Sequence, residues 1–143
     1  MSNYIDASYI TARTDEAELQ QILSDDDVAN SPVLLQAIID AESFVNESLE
    51  NLYTVPLTNP SSTIKKIAYY LAIYNMYSFR YQSDMPDNII TNNKYAIKYL
   101  DDVRDGKIKI YSQTELEVQS SFVVTNKDAE AKIFNSTKLG TIL

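Results

Sequence analysis

Apolar residues recur along the chain at helical spacing, in blocks separated by short polar breaks, and the most continuous block runs from Ile64 to Tyr81 without Gly, Pro or an acid. At 100° per residue, Ile64, Ile67, Ala68, Leu71, Ala72 and Phe79 gather on one arc, the spacing of a core-facing helix. The opposite side carries Tyr69, Tyr70, Ile73 and Tyr77 beside Lys66 and Arg80. A helix apolar around most of its circumference needs cover on both sides, from the rest of the chain or from a second protein. Tyrosine suits either fate, because the ring buries well while the hydroxyl can stay wet.

The flanking pattern predicts further helices. Asp6 is placed to cap Ala7 to Arg13, and Thr14 to cap Asp15 to Leu23, with Leu19, Ile22 and Leu23 facing inward. Ser24 to Asn30 has three consecutive aspartates and no apolar period, so a loop is expected. Ser31-Pro32 is a helix start, since proline fits the first helical position. The helix it opens is expected to reach about Leu52, burying Leu34, Ala37, Ile38, Ala41, Val45, Leu49 and Leu52. Asp40 and Glu47 lie on its polar face, and Phe44 at the edge of its stripe is either a core flank or a subunit contact. Pro56 and Asn59-Pro60-Ser61-Ser62 then turn the chain. Met85-Pro86 opens a last helix that buries Ile89, Ala96, Ile97, Leu100 and Val103 and stops at Gly106.

Beyond Lys107 the period changes. Lys107 to Tyr111 alternates, Leu116 to Val124 alternates in part, and Ala129 to Leu143 is apolar without helical spacing. A segment of this kind after a finished helical core cannot bury itself and is either disordered or ordered by a partner. Its apolar residues favour the partner, so Ile110, Phe122, Val124, Ile133, Phe134 and Leu139 are expected to meet a neighbour or partner. The fold class is all-α: a small bundle of four to five helices over residues 1–106, with an extended C-terminal arm over 107–143 containing short β segments.

Composition narrows the chemistry. Among 143 residues there is no Cys and no His, which removes disulfides, Cys/His zinc sites and His-based triads. Two glycines are too few for a phosphate-cradling loop, no window is long and apolar enough to span a membrane, and no cofactor is expected. Asp25 and Asp27 have the spacing of calcium ligands, but Ala29, Asn30 and Gln36 occupy the positions that such a loop needs for ligand, glycine and glutamate. Residues 1–51 carry eleven acids against Arg13 alone, a net of -10, whereas residues 52–143 carry nine acids against eleven bases, a net of +2. So polar a distribution suits head-to-tail neighbours in a ring. It also opposes DNA binding, because a helical regulator needs a basic recognition face. A carboxylate enzyme built on Asp40 and Glu47 is a third reading, although an ordinary amphipathic polar face accounts for both.

The order of features resembles the head-tail connector family of tailed bacteriophages, in particular its Mu-like adaptor group. The resemblance runs from Tyr4-Ile5 through Ala12-Arg13, Glu16-Ala17-Glu18-Leu19, the acidic loop Asp25 to Asp27 and Asp40-Ala41 to the turn Tyr53-Thr54-Val55-Pro56-Leu57. It continues in Ile67-Ala68, Leu71-Ala72, Tyr74, Met76-Tyr77, Arg80, Tyr95-Ala96, Leu100 and Gly106-Lys107-Ile108, and more weakly in Ala131 to Phe134 and Lys138 to Gly140. The family tends to have charged residues in the central helix where this chain has Tyr70, Ile73 and Asn75, so aromatic rather than ionic subunit contacts are expected. The resemblance implies a non-enzymatic virion protein at the head-tail junction, made in the host cytoplasm. It implies a ring of neighbouring copies, twelvefold, beneath the portal protein, with a tail or further connector protein below and genomic DNA passing through unbound. On that basis Phe44, Tyr69, Tyr70, Ile73 and Tyr77 are expected at the subunit interface. Asp25, Asp26, Asp27, Asp40 and Glu47 are expected along the channel, with the arm reaching the portal.

Overall fold

A computed structural model of the chain describes residues 4–80 and 84–110. Over these residues the fold is all-α: α1 (Ala7–Thr11), α2 (Glu16–Leu23), a 3-10 turn (Val28–Asn30), α3 (Pro32–Leu49), α4 (Ser62–Arg80) and α5 (Asp87–Arg104). The expected β segments around Phe122, Val124, Ile133, Phe134 and Leu139 lie outside the described residues.

Local chemistry sets the helix starts. The Asp6 carboxylate accepts the Tyr9 amide at 2.9 Å and caps α1. The cap of α2 is Asp15 rather than the expected Thr14. Its carboxylate accepts the Glu18 amide at 3.2 Å, whereas the Thr14 hydroxyl is turned toward the Tyr69 hydroxyl, 2.8 Å away. Asp27 and Asp25 order the next loop, in which the Asp27 amide donates to Asp25 at 3.0 Å and the Asn30 side chain donates to Asp27 at 3.1 Å. That loop is not wholly polar, since its 3-10 turn buries Val28. Ser31 precedes Pro32 as expected, but its hydroxyl makes no capping bond, and α3 starts on the proline's preset φ. Three residues earlier than expected, α3 stops at Leu49, whose carbonyl accepts the amides of both Leu52 and Tyr53 at 2.9 Å. Ser61 caps α4 through the Ile64 amide at 3.2 Å.

Helix α4 is the centre of the bundle, packed on α3 along one side and on α5 along another. It runs antiparallel to α3, because the Asn75 side chain donates to the Ala37 carbonyl at 3.3 Å and Phe79 lies across from Pro32 and Val33. Ile10, Leu19, Leu34, Val45, Leu49, Ile64, Ile67, Met76, Leu100 and Val103 form the fully buried centre. One expected core residue is not there: Phe79 is 67% exposed. It projects beside the first turn of α3, where the facing helix is only beginning and leaves a groove instead of a wall.

The core contains one charge that no period announced. Glu42 on α3 is buried, and its carboxylate accepts the backbone amides of Tyr4 at 2.6 Å and Ile5 at 2.9 Å. The Tyr4 hydroxyl then donates to the Asn46 side chain and accepts the Leu57 amide at 3.0 Å, tying the N-terminal strap to α3 and to the turn before α4. Burial raises the Tyr4 phenol above its ordinary pKa, an effect the Leu57 amide partly offsets. Glu42→Ala would strand two buried amides, so we expect a loss of about 2 to 4 kcal/mol, read as a lower urea midpoint at unchanged m-value.

At the other end, Gly106 takes a left-handed φ of 83° and the Lys107 amide returns to the Asp102 carbonyl at 2.8 Å, closing α5. The chain does not leave the core there. Ile108 packs against it, and Ile110 is buried with its amide donating to the Tyr53 hydroxyl at 3.0 Å. Ile110, expected in the arm, thus belongs to the packed core, because an apolar side chain and a buried phenol acceptor hold it in place. Lys98 and Asp102, 2.8 Å apart, and Arg104 and Asp101, 2.7 Å apart, form solvent-facing pairs on α5, where screening by water leaves little net stabilisation.

Candidate interaction surface

Helix α4 presents Lys66, Tyr69 and Tyr70 at i, i+3 and i+4, so all three emerge on one face. Around them four tyrosines from three helices form a row. The Tyr9 ring on α1 meets Tyr69 at 6.0 Å between centroids, Tyr69 meets Tyr70 at 6.0 Å, and Tyr70 meets Tyr95 on α5 at 6.2 Å. The end pairs are edge-on, the arrangement that the ring quadrupole favours. Two cations cap the row: the Arg13 guanidinium stands 3.6 Å over the centre of Tyr9, and the Lys66 ammonium lies 5.6 Å from the centre of Tyr70. Tyr69 is tied at its tip to Thr14 and at 3.4 Å to the Arg13 carbonyl, so the row is built and not merely exposed.

The five residues expected at a subunit interface do not share one patch. Tyr69 and Tyr70 lie in the row, half-buried. Ile73 and Tyr77 are buried within the chain, a correction to their expected outer position. The start of α5 covers Ile73 through Asn88, Ile89 and Asn92, and Tyr77 is capped by the Glu18 carboxylate of α2. Cover for that side of α4 thus comes largely from the chain itself. Phe44 is 40% exposed but sits on α3, away from the row. Sequence reasoning missed Tyr9, Arg13 and Tyr95 as members of the patch; only the helical spacing of Lys66 to Tyr70 hinted at it, and the other members arrive from distant parts of the chain.

The expected channel acids also divide. Asp40 and Glu47 are exposed, two turns apart on α3, whereas Asp25, Asp26 and Asp27 belong to the loop after α2. Asp40 accepts the Gln36 side chain at 2.8 Å and borders the largely apolar groove of about 330 Å³ between α3 and Phe79. Leu35 and Ile39, one turn apart on α3, add a further exposed apolar strip. No group of three or more acids among the described residues is placed to hold a metal ion, and no described helix is long and apolar enough to cross a membrane.

No curated protein matches the chain. A family model described as "Bacteriophage Mu, Gp36" matches residues 4–125, which takes in the N-terminal strap, every described helix and the first 15 residues beyond Ile110. The match covers most of the 143 residues, and the chain therefore belongs to the bacteriophage Mu Gp36 family.

Proposed function

We propose that this phage protein is a structural component of the virion, a head-tail connector that forms a ring of copies under the portal protein, joins capsid to tail and lets the genome through. Membership of the Mu Gp36 family is the observation that carries this reading. The surface agrees with it: Leu35, Ile39, Phe44, Phe79 and Tyr95 leave large apolar side chains open on three helices of a small chain, the sort of surface that subunits cover in each other. The protein works by docking, not by catalysis. Exposed Asp40 and Glu47 on α3 supply a channel lining that would repel phosphates, as sliding DNA requires. The segment beyond Ile110 is the arm that reaches the portal or the neighbouring copy, and a tail or further connector protein docks below.

The test is the mass of the purified full chain, alone and with its portal, by light scattering. A portal-bound ring of copies, twelvefold by family resemblance, is the expected result. A monomer in the absence of portal is compatible with assembly templated by the portal. Failure to bind the portal refutes the connector role.

A further inference from the structure

The tyrosine row ends in a pocket of about 500 Å³ bordered by Tyr9, Arg13, Lys66, Tyr69 and Tyr70. Its charge runs against the rest of the molecule. The chain carries -8 overall and Arg13 is the sole base of its first 51 residues, yet Arg13 and Lys66 converge on one cleft. Among the described residues neither forms an ion pair; they lie against tyrosine faces instead. Cations held over aromatic rings beside an open cleft are placed to receive carboxylates.

The complementary feature lies toward the far end of α4. Helix α2 runs beside α4 in the same direction, since Thr14 meets Tyr69 and Glu18 meets Tyr77. The Asp25–Asp27 loop that follows α2 is therefore carried toward the C-terminal end of α4. Pro32 and Val33, shortly after that loop, lie beside Asn75 and Phe79, and the 3-10 turn between the loop and Pro32 also packs on α1. Ser62, Thr63 and Lys66 of the pocket belong to the first turns of α4, a 19-residue helix roughly 28 Å long. The loop is held in shape by the Asp27 amide on Asp25 and the Asn30 side chain on Asp27, and no described cation pairs with its carboxylates.

We propose that the Arg13–Lys66 tyrosine pocket receives the Asp25–Asp27 loop of a second copy of this chain. Opposite charges on two different surfaces give each copy a plug and a socket, and such a heterologous contact repeats head to tail, forming a ring where its rotation closes. This rests on the connector reading and deepens it by assigning the surfaces. It also moves Asp25, Asp26 and Asp27 from the channel to the seam between copies, leaving Asp40 and Glu47 for the lumen.

The test is a charge swap in the full chain, scored by the number of copies per purified phage particle. Lys66→Glu and Asp26→Lys each alter one exposed or partly exposed residue, and helical circular dichroism verifies that each variant folds. Each alone should lower incorporation about tenfold or more, and the two together in one chain should restore it, because every seam then pairs an acid in the socket with a base on the plug. As a second measurement, the chain has no cysteine, so an oxidised mixture of Lys66→Cys and Asp26→Cys chains in particles should give a cross-linked dimer that neither variant gives alone. Unchanged incorporation of the single variants, or no rescue in the double variant, overturns the plug-and-socket contact while leaving the connector role standing. Absence of the wild-type chain from particles overturns both.

Discussion

Leu71→Asp is expected to leave no folded protein. Leu71 lies in the middle of α4, buried, in the helix that packs on both α3 and α5. An aspartate there either ionises in an apolar setting or folds protonated with its hydrogen bonds unmet, and removing the leucine also forfeits its packing. The first costs several kcal/mol, and the lost leucine about 2 to 5 kcal/mol more. Against a typical total of about 5 to 15 kcal/mol for a domain, little stability would remain. Circular dichroism at 25 °C and urea titration check this: a fully helical, cooperatively unfolding Leu71→Asp protein would show that α4 is not the centre of the fold. Phe79→Asp, eight residues along the same helix, is the control. Because Phe79 stands in solvent, its change should move the midpoint little.

Truncation after Tyr111 should separate folding from assembly. The last buried side chain described is Ile110, with its amide on the Tyr53 hydroxyl, so the shortened chain keeps every described helix and the contact that closes the core. Its thermal midpoint should stay within a few degrees of the full chain's. Its incorporation into phage heads should fall to background. The missing segment contains Phe122, Val124, Ile133, Phe134 and Leu139, and ordering it on a partner costs about 1 to 2 kcal/mol of backbone entropy per residue. On the proposed arm role, main-chain hydrogen bonds to a neighbour and burial of those side chains exceed that cost, so removing the segment removes the whole gain. Because the family match ends at residue 125, a second truncation after Thr125 divides the segment. Full incorporation of the chain cut after Tyr111 would end the arm hypothesis, and incorporation of only the longer product would place the contact between residues 112 and 125.

Glu42 shows where reading by period stops. An acid one position from the buried Ala41 looks like the edge of a polar face, and Glu42 gives no signal that two amides of the N-terminal strap will close over it. A carboxylate tolerates that burial because it accepts two charge-assisted hydrogen bonds. The difference between Ile73 and Phe79 has the same root. Both are apolar residues of α4, but cover depends on where the neighbouring helices begin: α5 starts over Ile73, and α3 starts too late to cover Phe79.

The local framework is legible in the order of residues alone. Helix periods, the Asp6 cap, Pro32, the Pro56 to Ser62 turn and Gly106 place the helices to within a few residues, because each depends on backbone sterics and hydrogen bonds between near neighbours. The order of short segments also points to a Mu-like phage protein, and the match over residues 4–125 establishes the bacteriophage Mu Gp36 family without assigning the connector role. Packing between distant segments settles which side of α4 stays open, the closing of the core by Ile110, and the meeting of Tyr9, Arg13, Lys66, Tyr69, Tyr70 and Tyr95 in one row. Those contacts join residues up to 60 positions apart, from Tyr9 to Tyr69, and no local period encodes them. Their partners are chosen by the packing of whole helices, a property of the folded chain.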